Sequence, residues 1–309
     1  MTDHEKRHEY RAEALLFVVV VVWAANYPLA KWAIGGLSTY VFNAIRFIVA
    51  SVVVALMFGA RSKWQPLAPG DLLKLIGAGF VANVLYQLVF ILGLSMTTAG
   101  NSAILLSTSP LWTVFFNTLL HKERVAKNMW AGMAVSLLGV TLIILGSGKR
   151  IELDGNALLG DVITLTAAMV WGLNTNLQKP LLAKYSVLQV TLVMMAVGGI
   201  GLSVAAFPSM ASLDWGSIHW TYYAAAVVSG ALSIGVSNAI WSNGVKRLGP
   251  GRTANFNNLV PVLAVVLSAL FLKEEITAFQ IFGIGITMLG VWLARRTKLS
   301  VSSKVGPAT

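Results

Sequence analysis

The chain has 309 residues, 56% of them hydrophobic and 11% charged, with no cysteine and a formal net charge of +11. Soluble domains carry about 25% charged residues, so this composition excludes a water-solvated fold and points to lipid as the solvent. The absence of cysteine excludes disulfides, a thiol nucleophile and thiolate metal sites. The basic excess lies between apolar runs, where it reads as topology determinants rather than a nucleic-acid surface.

A membrane-spanning helix needs about 20 mostly apolar residues. Such spans are predicted at 14–34, 39–58, 71–95, 98–120, 128–146, 157–178, 185–206, 218–245, 249–271 and 276–294. The first run follows Lys6, Arg7 and Arg11 as a signal peptide would. The later return of its Trp23, Asn26 and Lys31 pattern favours a retained first helix. Pro66 and Pro69 precede the third span, where a fixed φ and a missing amide suit an entry turn. Gly146–Asn156 is the longest hydrophilic break near the middle. The expected organisation is an N-terminal segment over 1–13, a five-helix repeat over 14–148, a second over 149–295 and a tail over 296–309.

With the N-terminus inside, 18 of the 23 Lys and Arg fall on inside segments and four (Lys31, Lys149, Arg150, Lys273) on outside ones. Arg46 alone lies well within a span. That bias predicts cytoplasmic N- and C-termini in a bacterial inner membrane.

The chain repeats itself. Trp23-Ala-Ala-Asn26-Tyr-Pro-Leu-Ala-Lys31 returns as Trp171-Gly-Leu-Asn174-Thr-Asn-Leu-Gln-Lys179. Further on, Gly100 maps to Gly251, Pro110 to Pro261, Lys122-Glu123 to Lys273-Glu274, Gly132 to Gly283 and Gly139-Val140 to Gly290-Val291. Each half holds five spans, an odd number, so the second half inserts upside down. Inverted repeats are the architecture of alternating-access carriers, with a substrate site between the halves. A duplicated membrane protein with no transport role is the alternative.

On these features (ten spans, the five-plus-five repeat, Trp-x-x-Asn in each first helix, Arg46-Phe47, and Pro110 and Pro261 followed by Lys-Glu) the sequence resembles the EamA branch of the drug/metabolite transporter superfamily, and within it the YddG-type amino-acid exporters. The resemblance implies an all-α polytopic bundle of ten helices in two inverted repeats. It also implies a central cavity and efflux of amino acids or related metabolites.

Polar residues inside spans are expensive unless they face protein. Asn83, Tyr86, Gln87 and Phe90 share one helical face of the third span, and Ser229, Ser233, Ser237 and Trp241 step by four along the eighth. With Trp23, Asn26, Asn101, Trp171, Asn174 and Asn258, the residues Asn83, Tyr86, Ser237 and Trp241 form the candidate substrate-binding set. Amides suit an ammonium and a carboxylate, and rings suit an apolar side chain. Interhelical hydrogen bonding is the competing use. Pro110 and Pro261 sit near mid-span, where each crowds the carbonyl four residues back. They are candidate hinges or static kinks. Arg46 could bind a substrate carboxylate or act in gating, or it could snorkel outward or pair with backbone carbonyls. Lys122 and Lys273 close the fourth and ninth spans and are candidates for capping or gating.

All twelve acidic residues and all four histidines fall in tails, loops or helix ends. No metal cluster, catalytic triad or phosphate loop is legible, so neither enzymatic activity nor a cofactor is expected. Glu13 and Asp161 come nearest to the membrane interior, at predicted span edges that solvent would reach. The expected protein is a facilitative exporter of neutral amino acids, aromatic ones included, with a small-molecule substrate and the lipid bilayer as partners, no nucleic acid, and a monomer as its working form. Drug-like or other metabolite cargo and a channel are the alternatives.

Overall fold

The computed structural model describes residues 3–97, 105–123, 125–146, 155–272 and 276–295. Among the described residues the chain forms ten helical rods and no strand. They are α1 (Asp3–Ala33), α2 (Thr39–Arg61), α3 (Pro69–Met96), α4 (Ser109–His121), α5 (Lys127–Gly146), α6 (Gly155–Leu177, prolonged by Lys179–Lys184), α7 (Val187–Ala211), α8 (Trp220–Leu248), α9 (Pro250–Leu272) and α10 (Ala278–Arg295). Seven of them are long and apolar enough to cross a membrane; α10 is a shorter apolar helix. Outward-facing Leu56, Phe207 and Phe282 remain exposed, as a lipid-facing surface requires.

Local chemistry sets the helix starts. Ser38 and Ser186 cap α2 and α7, their hydroxyls accepting from the amides of Val41 (3.3 Å) and Gln189 (3.2 Å). These caps are repeat equivalents. Pro69 and Pro250 stand at first helical positions, where no amide donor is needed. Gly249 turns the chain between α8 and α9 at φ 82°, a left-handed conformation open to glycine. The first helix begins at Asp3, so most of the expected N-terminal segment is helical.

The fourth and ninth spans are not single helices. The chain turns at Ser107 and Thr108 before α4 begins, with Pro110 in its first turn. In α9 a 3-10 turn over Phe256–Asn258 separates Pro250–Asn255 from Leu259–Leu272, and Pro261 again falls in the first turn of the new piece. Both prolines therefore sit where a helix restarts and not within a bent continuous one. A first-turn proline loses no intrahelical hydrogen bond. The two breaks touch: Asn257 Nδ2 donates to Ser109 Oγ at 3.1 Å.

The third and eighth spans carry a second paired irregularity. α3 contains a π-helical segment at Phe80–Leu85 and α8 one at Ser229–Val236. Each extra residue rotates the helix beyond it, and such bulges recur at functional sites.

Packing obeys the repeat. α2 packs on α7 and α5 on α10, each against its own equivalent. The α3–α6 contact is matched by α8–α1, α4–α6 by α9–α1, and α2 against the π segment of α8 by α7 against that of α3. This is pseudo-two-fold symmetry. The α5–α10 seam is the closest. A Cβ on Gly139 would fall on the amide and hydroxyl of Thr287, one on Gly283 on the carbonyl of Gly139, and one on Gly290 on the amide of Ser136. Small residues let the two backbones touch, the usual basis of tight helix association in lipid.

Candidate functional site

The two repeats enclose an aromatic cluster. Trp23 of α1 lies 5.2 Å from Trp241 of α8 and 5.9 Å from Trp171 of α6, ring centre to ring centre. Trp171 lies 6.0 Å from Trp241 and 5.1 Å from Tyr86 of α3, and Tyr86 stacks on Phe90 at 6.0 Å. Trp23 and Trp171 are repeat equivalents, so the cluster forms where the two Trp-x-x-Asn motifs converge. Trp23 Nε1 donates to the carbonyl of Ser233 in the α8 π segment at 2.9 Å. The indole nitrogens of Trp171 and Trp241 are buried with no hydrogen-bond partner among the described residues.

Beside the rings is a polar pocket lined by Asn83, Asn174, Gln178, Thr191, Asn238 and Ser242, with Ala82, Met194 and Met195. Its free space is about 10 Å³, room for about one water. The conformation is therefore closed around this pocket, and a larger solute needs the rods to part. Gln178 Oε1 accepts from Ser242 at 2.8 Å, and Asn83 Nδ2 donates to the carbonyl of Met194 at 2.7 Å. Asn174 Oδ1 is buried and unpartnered.

Of the residues picked from sequence, Trp23, Tyr86, Trp171 and Trp241 come together as the cluster, and Asn83 and Asn174 line the pocket. Asn26 accepts from Ser229 Oγ at 2.5 Å, a second tie of α1 to the π segment of α8. Ser237 is buried at the end of that segment. Asn258 is buried in the α9 break, its Oδ1 unpartnered. Asn101 and Lys273 lie outside the described residues. Lys122 is exposed and ends α4 in a left-handed conformation at φ 52°. The single face expected for α3 is split by its π segment: Asn83 reaches α7, and Tyr86 turns to Trp171 on α6.

Arg46 does not snorkel into lipid. It is 9% exposed, its Nη1 donates to Asn43 Oδ1 at 3.0 Å, and its guanidinium lies 5.0 Å from the Phe42 ring.

The pairings of the charged residues that join the repeats were not read from sequence. At the end of the bundle that carries the N-terminus, Asp71 Oδ2 accepts from Lys184 Nζ and from the Tyr185 hydroxyl, both at 3.0 Å. Glu123 accepts from Lys179 and, at 3.2 Å, from Asn117. Arg252 donates to Glu9 at 3.1 Å and to Glu13 at 3.0 Å. Gln189 exchanges two hydrogen bonds with the backbone of Gln65, at 3.1 and 2.7 Å. Apart from the Asn117–Glu123 bond, each of these ties joins the first half of the chain to the second. Burial opposes the charge on Glu123, but hydrogen bonds from Lys179 and Asn117 and the Lys179 charge outweigh it and hold the carboxyl below its ordinary value. Glu13 is 8% exposed. The expected solvation of that carboxylate is thereby corrected: α1 runs on to Asp3 and turns Glu13 inward against Arg252. Asp161 accepts from Thr97 Oγ1 at 2.5 Å.

A two-fold bundle with broken and π-distorted helices around an aromatic, amide-lined pocket is the form of a solute carrier, and the comparisons with known proteins agree. The EamA-like transporter family model matches residues 11–145 and 158–296. The chain belongs to that family. It is similar to a probable terminal-alkyne amino-acid exporter of Streptantibioticus cattleyicolor, at 26% identity over 92% of this chain and 93% of that one. It is also similar to a probable amino-acid metabolite efflux pump of Escherichia coli, at 25% identity over 90% and 93%. An uncharacterized transporter of Bacillus subtilis, YetK, is 25% identical over 90% and 84%. A solved crystal structure superposes with a TM-score of 0.79 at 17% identity, covering 93% of this chain and 98% of the other, which supports the fold. The protein is a multi-pass membrane transporter of a small molecule.

Proposed function

We propose that this transporter exports amino acids or closely related metabolites by alternating access. The observation that carries the reading is the convergence of Trp23, Trp171, Trp241 and Tyr86 beside a pocket lined by Asn83, Asn174 and Gln178, at the interface of the two repeats. Rings match an apolar side chain, and amides match a zwitterionic backbone. The relatives named as a probable terminal-alkyne amino-acid exporter and a probable amino-acid metabolite efflux pump support this cargo over drug-like molecules. A buried carboxylate, the usual partner of an organic cation, is absent from the described pocket lining. In this reading the chain is a monomer in the inner membrane, with both termini in the cytoplasm and two five-helix units over 14–148 and 149–295. The latched end then faces the cytoplasm. Pro110 and Pro261 mark the helix breaks about which the rods move.

Among the described residues no carboxylate stands at mid-membrane, which favours a facilitator driven by the substrate's own gradient. Counterflow of an amino-acid panel in proteoliposomes tests the cargo: saturable exchange of large neutral amino acids is expected, and none across the panel contradicts the proposal. A pH gradient at clamped potential tests the energetics. Several-fold accumulation against the substrate gradient contradicts a facilitator, and Glu13→Gln then shows whether the Glu13–Arg252 pair carries the proton.

A further inference from the structure

Among the described residues Arg46 is a charge without a counter-ion. Its side chain is nine-tenths buried within the membrane-spanning part of α2. Among the described residues no carboxylate lies within ion-pair distance of it. One nitrogen, Nη1, is bonded to Asn43 Oδ1, and Nε is buried with no partner. A guanidinium has five N–H donors in a planar fork that matches a carboxylate. Leaving such a group in hydrocarbon with one neutral acceptor is strongly unfavourable unless an anion completes it.

The surroundings are built to hold it. Asn43 Nδ2 donates to the carbonyl of Thr39 at 3.0 Å, which fixes the amide so that its oxygen faces Arg46. The Phe42 ring flanks the guanidinium at 5.0 Å. Gly230, in the π segment of α8, rests on the Arg46 backbone so closely that a Cβ there would fall 2.6 Å from its carbonyl oxygen. Phe47, next to Arg46 in the chain, and Asn83 of the polar pocket meet on Gly198 of α7, where a Cβ would fall 2.8 Å from the Phe47 ring and 2.6 Å from Asn83 Cβ. The turn of α2 that carries Arg46 thus packs against the wall of the polar pocket, beside which the aromatic faces lie.

We propose that Arg46 is the subsite for a carboxylate on the cargo, and that the transported class is carboxylates bearing an aromatic or bulky apolar group. This deepens the amino-acid reading above and rests on it for the zwitterionic backbone, but its test does not need transport. Phenylacetate and phenylacetamide have nearly the same shape and differ in charge. Calorimetric titration of the purified full-length protein is expected to show the acid binding about tenfold or more tightly than the amide, the scale of a charge-assisted hydrogen bond. In Arg46→Gln that ratio falls to about one, and Arg46→Lys retains part of it. Should Arg46→Gln fail to fold, Asn43→Ala frees the guanidinium and is expected to narrow the ratio without abolishing it. Equal binding of acid and amide by the wild type overturns the proposal. So does an undiminished ratio in Arg46→Gln, or no binding of any aryl carboxylate. If phenylacetate binds through Arg46 while no amino acid is exchanged, the amino-acid reading fails and the subsite stands. If phenylalanine is exchanged and phenylalaninamide competes equally, the reverse holds.

Discussion

At the α5–α10 seam the repeats meet backbone to backbone; at the N-terminal end they meet through long charged side chains. The seam has Gly132, Gly139, Gly283 and Gly290 pressed against carbonyls and amides of the facing helix, and Ser136 and Thr287 fully buried between them. The other end has Asp71, Glu123 and Arg252, with partners that are partly solvated. A glycine seam separates only with loss of many close contacts and no water to replace them. A half-solvated ion pair contributes about 0–1 kcal/mol and exchanges its partner for water. In the proposed alternating-access cycle, this difference makes the seam the static hinge line and the charged end the one that opens.

The largest effect is expected from breaking the seam. Gly139→Leu or Gly283→Leu places a side chain against backbone, where nothing flexible can yield. Overpacking costs about 1–3 kcal/mol in adaptable cores, and the upper end of that range or more is expected here. Fluorescence-detected size exclusion should show loss of the folded peak.

Next come the rings between the two interfaces. Trp171→Ala and Tyr86→Ala should lower exchange of large apolar amino acids about tenfold, the scale of about 1.4 kcal/mol, with a smaller effect on alanine or serine. Equal loss for every substrate at normal expression would assign the rings to packing alone.

Weakening the charged end should change the access equilibrium and not the fold. Arg252→Gln removes ties of about 1 kcal/mol, a shift of roughly fivefold toward the state open at this end, and Asp71→Asn shifts the same equilibrium in the same direction. The chain has no cysteine, so a single cysteine in place of Asn238 reports opening by its labelling rate from the cytoplasmic side. An unchanged rate would show that these pairs do not hold the end shut.

The smallest effect is that of pH. The Glu123 carboxyl is held below its ordinary value of 4.5, so its tie to Lys179 is present above that value and is lost as pH falls through the lowered one. Taken relative to Glu123→Gln, whose reporter thiol ionises alike, the labelling rate should therefore stay constant from pH 5.5 to 8 and rise only in stronger acid. Glu123→Gln should remove that acid dependence.

Much of this was legible in sequence because lipid enforces simple rules. Apolar runs, the Lys and Arg bias and the paired motifs gave the ten rods and their duplication, and Trp-x-x-Asn located the cluster. The π segments at Phe80–Leu85 and Ser229–Val236 have no composition of their own, since their residues are ordinary helix formers. They moved Asn83 and Tyr86 onto different neighbours despite correct helical spacing. Pro110 and Pro261 read as mid-helix kinks because the turn at Ser107–Thr108 and the 3-10 turn at Phe256–Asn258 carry no glycine or charge. Asp71, Lys184, Glu123 and Lys179 looked like solvated helix ends. Opposite charges at equivalent ends of the two repeats were the available signal, but pairing across 113 residues, as in Lys184–Asp71, is set only by the tertiary fold.

The central claim is that one inter-repeat interface stays closed while the other opens. Disulfide trapping in proteoliposomes measures this directly. Ser136 Oγ donates to the Thr287 carbonyl at 3.4 Å across the seam, and Gln189 meets Gln65 at the charged end. A Ser136→Cys/Thr287→Cys disulfide is expected to leave amino-acid exchange intact. A Gln65→Cys/Gln189→Cys disulfide is expected to abolish it, with full recovery on reduction. Exchange that continues with the Gln65–Gln189 pair locked, or stops when only the seam is locked, would contradict the account.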